Sequence, residues 1–186
     1  MNRSTNFFLG LIFFLILLPL MLVISVLIKL DSRGPILFIS KRIGQYNQKF
    51  DMIKFRTMHI NTELIESAKL KNPNSKVTKL GKIMRKLSID EIPQFFCVIK
   101  GQMAIVGPRP ALPTQLDLIN KRKKYGIDKI MPGITGNAQI NGRDLISDQK
   151  KLNLEVEYMK KKSFLLDLKI IFQTIKVVFN RMGISH

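Results

Sequence analysis

The chain has 186 residues, with 31 Lys+Arg against 13 Asp+Glu and a formal net charge of +18. That length allows one domain with an appendage, or one domain that includes a membrane segment; the charge argues against an ordinary small soluble domain and for a polyanionic partner, nucleic acid or anionic lipid. The single cysteine, Cys97, excludes an intrachain disulfide and reads as a small buried hydrophobe, and His59 and His186 stand in no metal-ligand spacing.

From Phe7 to Ile28 no residue is charged. About 22 residues at about 1.5 Å each give about 33 Å, enough to cross a hydrocarbon core of about 30 Å. The run is too long for a signal peptide and no small-x-small cleavage site follows it, so a retained membrane anchor is expected, which favours lipid over nucleic acid as the polyanion. Pro19, near the middle, removes the hydrogen bond to the Leu15 carbonyl and predicts a kink. Arg3 precedes the run, while Lys29, Arg33, Lys41 and Arg42 follow it, so the positive-inside rule gives no clear asymmetry. A re-entrant helix with both ends on the cytoplasmic side and a kinked spanning helix both stay open.

Gly34-Pro35 ends this segment, and Ile36 to Ile39 and Phe50 to Phe55 read as two short strands joined by a turn at Tyr46-Asn47, a small β-hairpin. Strand alternation puts Lys54 and Arg56 on one face, as solvated charge or as a phosphate contact. Glu63 to Leu70 reads as a helix and Asn72 to Ser75 as a loop. Lys76, Lys79, Lys82 and Arg85 then recur every three residues, predicting a short basic amphipathic helix.

That helix delivers the chain to Ser88-Ile-Asp-Glu-Ile-Pro-Gln94, which holds the only adjacent carboxylates, Asp90 and Glu91. Surrounding cations keep carboxylates ionised, and an ionised carboxylate serves as nucleophile, base or ligand to a hard cation. Ser88-x-x-Glu91 before the apolar run Phe95, Phe96, Val98, Ile99 is equally a helix capping box, with both acids favoured by the helix dipole. The two readings are compatible.

Ala104 to Val106 reads as a strand ending in Gly107-Pro-Arg-Pro110, where two prolines stiffen the backbone around Arg109 for bidentate pairing with a carboxylate or phosphate. Thr114 to Asn120 reads as helix. Met131 to Arg143 is rich in Gly, Asn and Pro and reads as a loop that lets backbone approach a ligand, with Arg143 able to close on an anion. It matches neither a Walker A loop nor Gly-x-Gly-x-x-Gly. Asp148 to Lys160 is a charged helix, and Ser163 caps a last helix, Phe164 to Met182. The narrow polar stripe of that helix (Lys169, Gln173, Lys176, Asn180) suits either the membrane interface or the protein's own core.

Taken together, Lys54-Phe-Arg-Thr-Met58, Arg85-Lys-Leu-Ser-Ile-Asp-Glu-Ile-Pro-Gln94, Lys100-Gly101, Gly107-Pro-Arg-Pro110, Pro132-Gly-Ile-Thr-Gly136, Gln139-Ile-Asn-Gly-Arg143 and Ser163-Phe-Leu-Leu-Asp-Leu-Lys169 resemble the bacterial sugar transferase family, the small monotopic phosphoglycosyl transferases. The resemblance covers nearly the whole chain in order; where the family typically has Ser-Pro in its membrane helix, this chain has Leu18-Pro19. It implies an α+β, mostly helical fold, with a re-entrant, kinked membrane helix over residues 1–30. Residues 31–186 would then form a catalytic domain with interfacial helices and a small β-hairpin on the cytoplasmic face of the bacterial inner membrane.

The implied reaction moves a phospho-sugar from a UDP-sugar to undecaprenyl phosphate and releases UMP, with membrane lipids and Mg2+ as further partners and no nucleic acid. By the same resemblance Asp90 is the nucleophile, and Glu91 a metal ligand and candidate base, with Asp90 also at the metal. Arg85, Arg109, Arg143 and Arg56 are the expected phosphate binders. A sugar-only glycosyltransferase would be expected to show Asp-x-Asp, which the chain lacks. A non-catalytic, membrane-tethered basic module would account for the charge but not for the acid pair.

Overall fold

A long supply of apolar residues with a capping side chain at its start makes a single helix, α1 (Arg3–Asp31), in the computed structural model, which describes residues 1–60, 62, 73–142 and 146–182. Asn2 caps it by accepting from the Thr5 amide at 2.8 Å. Helix geometry continues through Pro19. Among the described residues it is the one helix long and apolar enough to cross a membrane.

The buried residues of α1 fall toward its two ends: Asn6 and Gly10, then Ile24 and Ile28. A hairpin follows, β1 (Leu37–Ile43) antiparallel to β2 (Lys49–Phe55), in a register running from Leu37 opposite Phe55 to Ile43 opposite Lys49. Tyr46 and Asn47 turn it with positive φ, 53° and 59°. The first strand thus runs four residues past its expected end at Ile39.

A short helix, α2 (Pro73–Lys76), stands where a loop was expected, and the helix expected over Glu63–Leu70 lies outside the described residues. The basic helix is α3 (Lys79–Leu87), capped by Thr78, whose hydroxyl accepts from the Gly81 amide at 3.0 Å. After a 3-10 turn at Ile89–Glu91 comes α4 (Gln94–Ile99). The chain continues through β3 (Ala104–Val106), α5 (Leu116–Lys124), β4 (Gly133–Thr135), α6 (Asn137–Ile140), α7 (Asp148–Lys161) and α8 (Phe164–Met182).

The Met131–Arg143 stretch, expected as a loop, instead supplies β4, parallel to β3, and α6. Its glycines serve packing: a Cβ on Gly133 would sit 2.1 Å from the Gly107 nitrogen, so the two segments meet at a separation that excludes side chains.

Two apolar clusters hold the elements together. One gathers Phe50, Met52, Cys97, Val98, Met103, Ile105, Val106, Tyr158 and Ile170; the other is Ile24, Ile28, Phe55 and Met84. Helix α1 joins both. Leu9 packs on the first cluster, Asn6 Oδ1 accepts from the Ile105 amide at 2.9 Å, and Phe13 stacks on Phe95 of α4 at 5.4 Å. Its C-terminal turns supply Ile24 and Ile28 to the second. Arg122 makes a buried two-point pair with Glu155, tying α5 to α7. The Asp167 carboxylate accepts from the Tyr158 hydroxyl at 2.7 Å and is paired with the Met1 amino group.

Helix α8 begins at the expected residue, with Ser163 Oγ accepting from the Leu166 amide at 3.2 Å. It serves two surfaces at once: Asp167 and Ile170 are buried in the protein, while Phe164, Leu165, Phe172, Ile175 and Phe179 are exposed. The fold is mostly helical with a small antiparallel hairpin, the α+β class expected from the sequence.

Candidate active site

Helix α3 ends because Ser88 takes the left-handed conformation (φ 56°, ψ 20°) and returns its amide to the Arg85 carbonyl at 3.3 Å. A non-glycine residue there carries a conformational strain of about 1 kcal/mol, which the surrounding packing must hold. The reversal sends the next three residues into the 3-10 turn, and Glu91 donates its amide to the Ser88 carbonyl at 3.2 Å. This corrects the capping-box reading. Ser88 closes the preceding helix, its side chain makes no capping bond, and α4 starts behind Pro93 with no side-chain cap.

The turn buries both acids, leaving Asp90 6% and Glu91 7% exposed. Burying charge is unfavourable unless it is compensated, and the compensation comes from elements distant in sequence. Arg109, presented by the Gly107–Pro110 segment, places Nη1 at 3.2 Å from Glu91 Oε1. Its backbone is anchored next door, where the Gly133 amide donates to the Pro108 carbonyl at 2.8 Å.

Arg85, on the last turn of α3, donates Nε–H to Thr57 Oγ1 at 2.9 Å. Burial pulls its pKa down and Asp90 pushes it back up, so the guanidinium and the first acid of the pair feel each other. Lys54 on β2 is the third cation. Burial, chiefly, and then the charge of Arg109 depress its pKa to about 8, while Glu91 and Asp90 oppose the shift and Arg42 adds to it.

Arg56 stands elsewhere. Its Nη1 donates to the Arg33 carbonyl at 2.7 Å, and its Nη2 to the Ser32 carbonyl at 2.7 Å and Ser32 Oγ at 2.9 Å, clamping the connection that leaves α1. These contacts hold both terminal nitrogens of Arg56 on backbone and Ser32 in the structure, while its Nε is buried without a hydrogen-bond partner among the described residues. Arg143 lies outside the described residues, and Pro19 sits within α1, in the part of the chain that carries the membrane-length run.

The sequence reading left Lys54 undecided between solvated charge and phosphate contact; in the structure it feels the charges of Glu91 and Asp90, and Arg42, on the partner strand of the hairpin, acts on Lys54 in turn. Beside the turn lies a cleft of about 220 Å3 with Ser88 and Glu91 in its wall. Its other walls come from α4, β4, α6 and α8; the Pro132–Gly136 and Gln139–Arg143 motifs supply the β4 and α6 residues, and no local motif marked Thr174, Val177 and Val178 of α8.

The donor chemistry admits a divalent cation. Mg2+ binds oxygen ligands, keeps several waters, and uses one or two carboxylates together with substrate phosphates. Two adjacent buried carboxylates meet that need, and a full protein cage is not required; among the described residues no group of three or more His, Cys, Asp or Glu side chains is placed to form one.

The model of the family described as bacterial sugar transferase matches residues 1–181. The chain belongs to the bacterial sugar transferase family. Among its relatives in that family is a "UDP-N-acetylgalactosamine-undecaprenyl-phosphate N-acetylgalactosaminephosphotransferase" of Aeromonas hydrophila, 39% identical over 89% of this chain and 40% of the relative. An "undecaprenyl-phosphate glucose phosphotransferase" of Komagataeibacter xylinus is 38% identical over 97% of this chain and 36% of its own length. An uncharacterized sugar transferase of Bacillus subtilis (strain 168) is 42% identical over 86% of this chain and 77% of its length. The chain therefore spans about two fifths of the first two relatives. As a bacterial sugar transferase it carries the acid turn, the Gly-Pro-Arg-Pro segment and the Lys54 strand in one structure.

Proposed function

We propose that this bacterial sugar transferase moves a phospho-sugar from a UDP-sugar to undecaprenyl phosphate and releases UMP, at the cytoplasmic face of the bacterial inner membrane. This would be the first membrane step of glycoconjugate assembly. The reading rests on one observation above the others: two buried neighbouring carboxylates set among Arg109, Arg85 and Lys54. The names of the Aeromonas and Komagataeibacter relatives support the acceptor and the phospho-sugar, and the apolar length of α1 supports the membrane.

In the proposed mechanism an Asp90 carboxylate oxygen attacks the sugar-bearing phosphorus of the donor. The bond from that phosphorus to the bridging oxygen breaks, UMP departs with the electron pair, and an acyl phosphate joins Asp90 to the sugar. A phosphate oxygen of the acceptor then attacks the same phosphorus and frees Asp90. A carboxylate meets strong repulsion from a pyrophosphate unless cations offset the charge, and Arg109, Arg85 and Lys54 supply that offset. Mg2+ held by Glu91 and Asp90 would neutralise further phosphate charge when bound. Arg109, 34% exposed at its side chain, is open enough to exchange its contact with Glu91 for one with a phosphate.

The test is Asp90→Asn, assayed for UMP release from a panel of UDP-sugars with Mg2+ and undecaprenyl phosphate. The expected loss is about a thousandfold or more. Radiolabelled donor should leave sugar phosphate on the wild-type polypeptide and none on the variant; turnover near the wild-type rate would refute the nucleophile.

A further inference from the structure

The cleft beside Glu91 has an unusual lining for a site that handles sugar phosphates. Ile92, Phe95, Ile134, Ile140, Val177 and Val178 make most of its wall. Its two threonines are already satisfied: Thr135 pairs with Thr174 Oγ1 at 2.6 Å, and Thr174 donates to the Ile170 carbonyl at 2.7 Å. Gln139 spends its Nε2 on the Gly107 carbonyl at 3.4 Å, leaving its Oε1 as a buried acceptor with no partner. Such a wall offers much to hydrocarbon and little to a hydroxyl-rich ring.

Its position adds to this. One end of the lining is Ser88 and Glu91, where Arg109 is paired, so the cleft borders the cations that would hold a phosphate. The other side is α8, which puts Thr174, Val177 and Val178 into the cleft and turns Phe172, Ile175 and Phe179 outward, exposed. A cleft with a charged border and an apolar wall continuous with an exposed apolar helix matches an amphiphile with a phosphate head and a hydrocarbon tail.

Resting on the function proposed above, we infer that this cleft takes the isoprene units of the acceptor nearest its phosphate, and only those. Size sets the number. A cavity of about 150 Å3 accommodates a six-carbon ring, so the 220 Å3 available here holds roughly one or two five-carbon units. The rest of the chain stays in lipid along the outer face of α8, and Val177, Val178 and Phe95 read the acceptor.

The wild-type protein in detergent micelles, with UDP-sugar and prenyl monophosphates of five, ten and fifteen carbons counted as mole fraction in the micelle, tests this directly. Acceptor kcat/KM should rise by about tenfold or more from five to ten carbons and by less than about threefold from ten to fifteen. A flat response from five to ten carbons, or an undiminished rise beyond ten, overturns the inference whatever any variant does. Filling the cleft with Val178→Trp should raise the acceptor KM about tenfold while the KM for the UDP-sugar stays within about twofold. If the donor KM rises instead, the occupant is the sugar, read by Gln139 Oε1, and the inference falls. Absence of UMP release by the wild type with every donor and acceptor would refute the proposed function itself, whereas normal turnover indifferent to acceptor length refutes only the cleft.

Discussion

Arg109 Nη1 reaches Glu91 Oε1 at 3.2 Å, joining the Gly-Pro-Arg-Pro segment to the second acid of the turn across 18 residues of sequence. The pair is asymmetric in exposure, 34% for the arginine side chain and 9% for the glutamate, so a ligand can approach the cation while the anion stays covered. Arg109→Ala is expected to lower kcat/KM for UMP release by about 10- to 100-fold, the worth of a hydrogen bond to a charged group. Arg109→Lys should recover only part, because a point charge cannot replace a planar fork. Wild-type efficiency in the alanine variant would remove Arg109 from the phosphate site.

Lys54 predicts a pH dependence. With its pKa depressed to about 8 from the usual 10.5, it is charged in both folded and unfolded chains below pH 8, and the fold bears the burial penalty there. Between pH 8 and 10.5 it is neutral when folded and charged when unfolded, so its contribution to stability rises with pH across that window. Activity should run the other way, since a neutral amine holds no phosphate. The pH profile of kcat/KM, which reports the free enzyme, should fall above about pH 8, and Lys54→Arg should move that limb to higher pH. Lys54→Met should melt higher than wild type at pH 7 and turn over more slowly. A profile unchanged in Lys54→Arg would exclude the lysine as its cause.

Arg56 separates structure from chemistry. Arg56→Ala leaves the carbonyls of Ser32 and Arg33 without their donor and should destabilise the protein by about 2–3 kcal/mol. Thermal melts in detergent measure that loss. The kcat/KM of the folded fraction should stay within about twofold of wild type; a large fall in kcat/KM with an unchanged melt would instead assign Arg56 to the phosphate site.

Much of this was legible beforehand, and the misses share a cause. The last helix begins where Ser163 predicted, β3 matched residue for residue, and the hairpin followed from its turn residues, because each depends on neighbours in sequence. Asp90 and Glu91 stood out by charge contrast alone. Ser88 looked like an N-cap because Ser-x-x-Glu carries no sign of φ, and only the path of α3 reveals the left-handed closure. The Gly-rich stretch hid β4 because its partner, β3, lies about thirty residues upstream, and Gly133 serves that contact. The burial of Lys54 and the backbone clamping by Arg56 were not legible, since both are properties of packing.

The two buried ends of α1 predict topology. Asn6 bonds to β3, while Ile28 packs with Phe55 and Met84, so a single body of protein holds both ends of the helix. A helix stretched across a bilayer could not keep both contacts with that body on one side. Cysteines placed at Ser4 and Ser40 should therefore react with an impermeant maleimide from the same side of the membrane, with Cys97 silent because it is fully buried. Reaction from opposite sides would establish a spanning helix.

The dual membership of α1 also governs how this protein can be handled. Ile24 and Ile28 are half of one apolar cluster, and Leu9, Gly10 and Phe13 cover α4. Deleting the hydrophobic leader to obtain a water-soluble catalytic fragment would strip the interior of Val98, Phe55 and Met84 of its covering. What remained would be an unfinished protein, prone to clump, and detergent or lipid must accompany the chain through every step of its preparation.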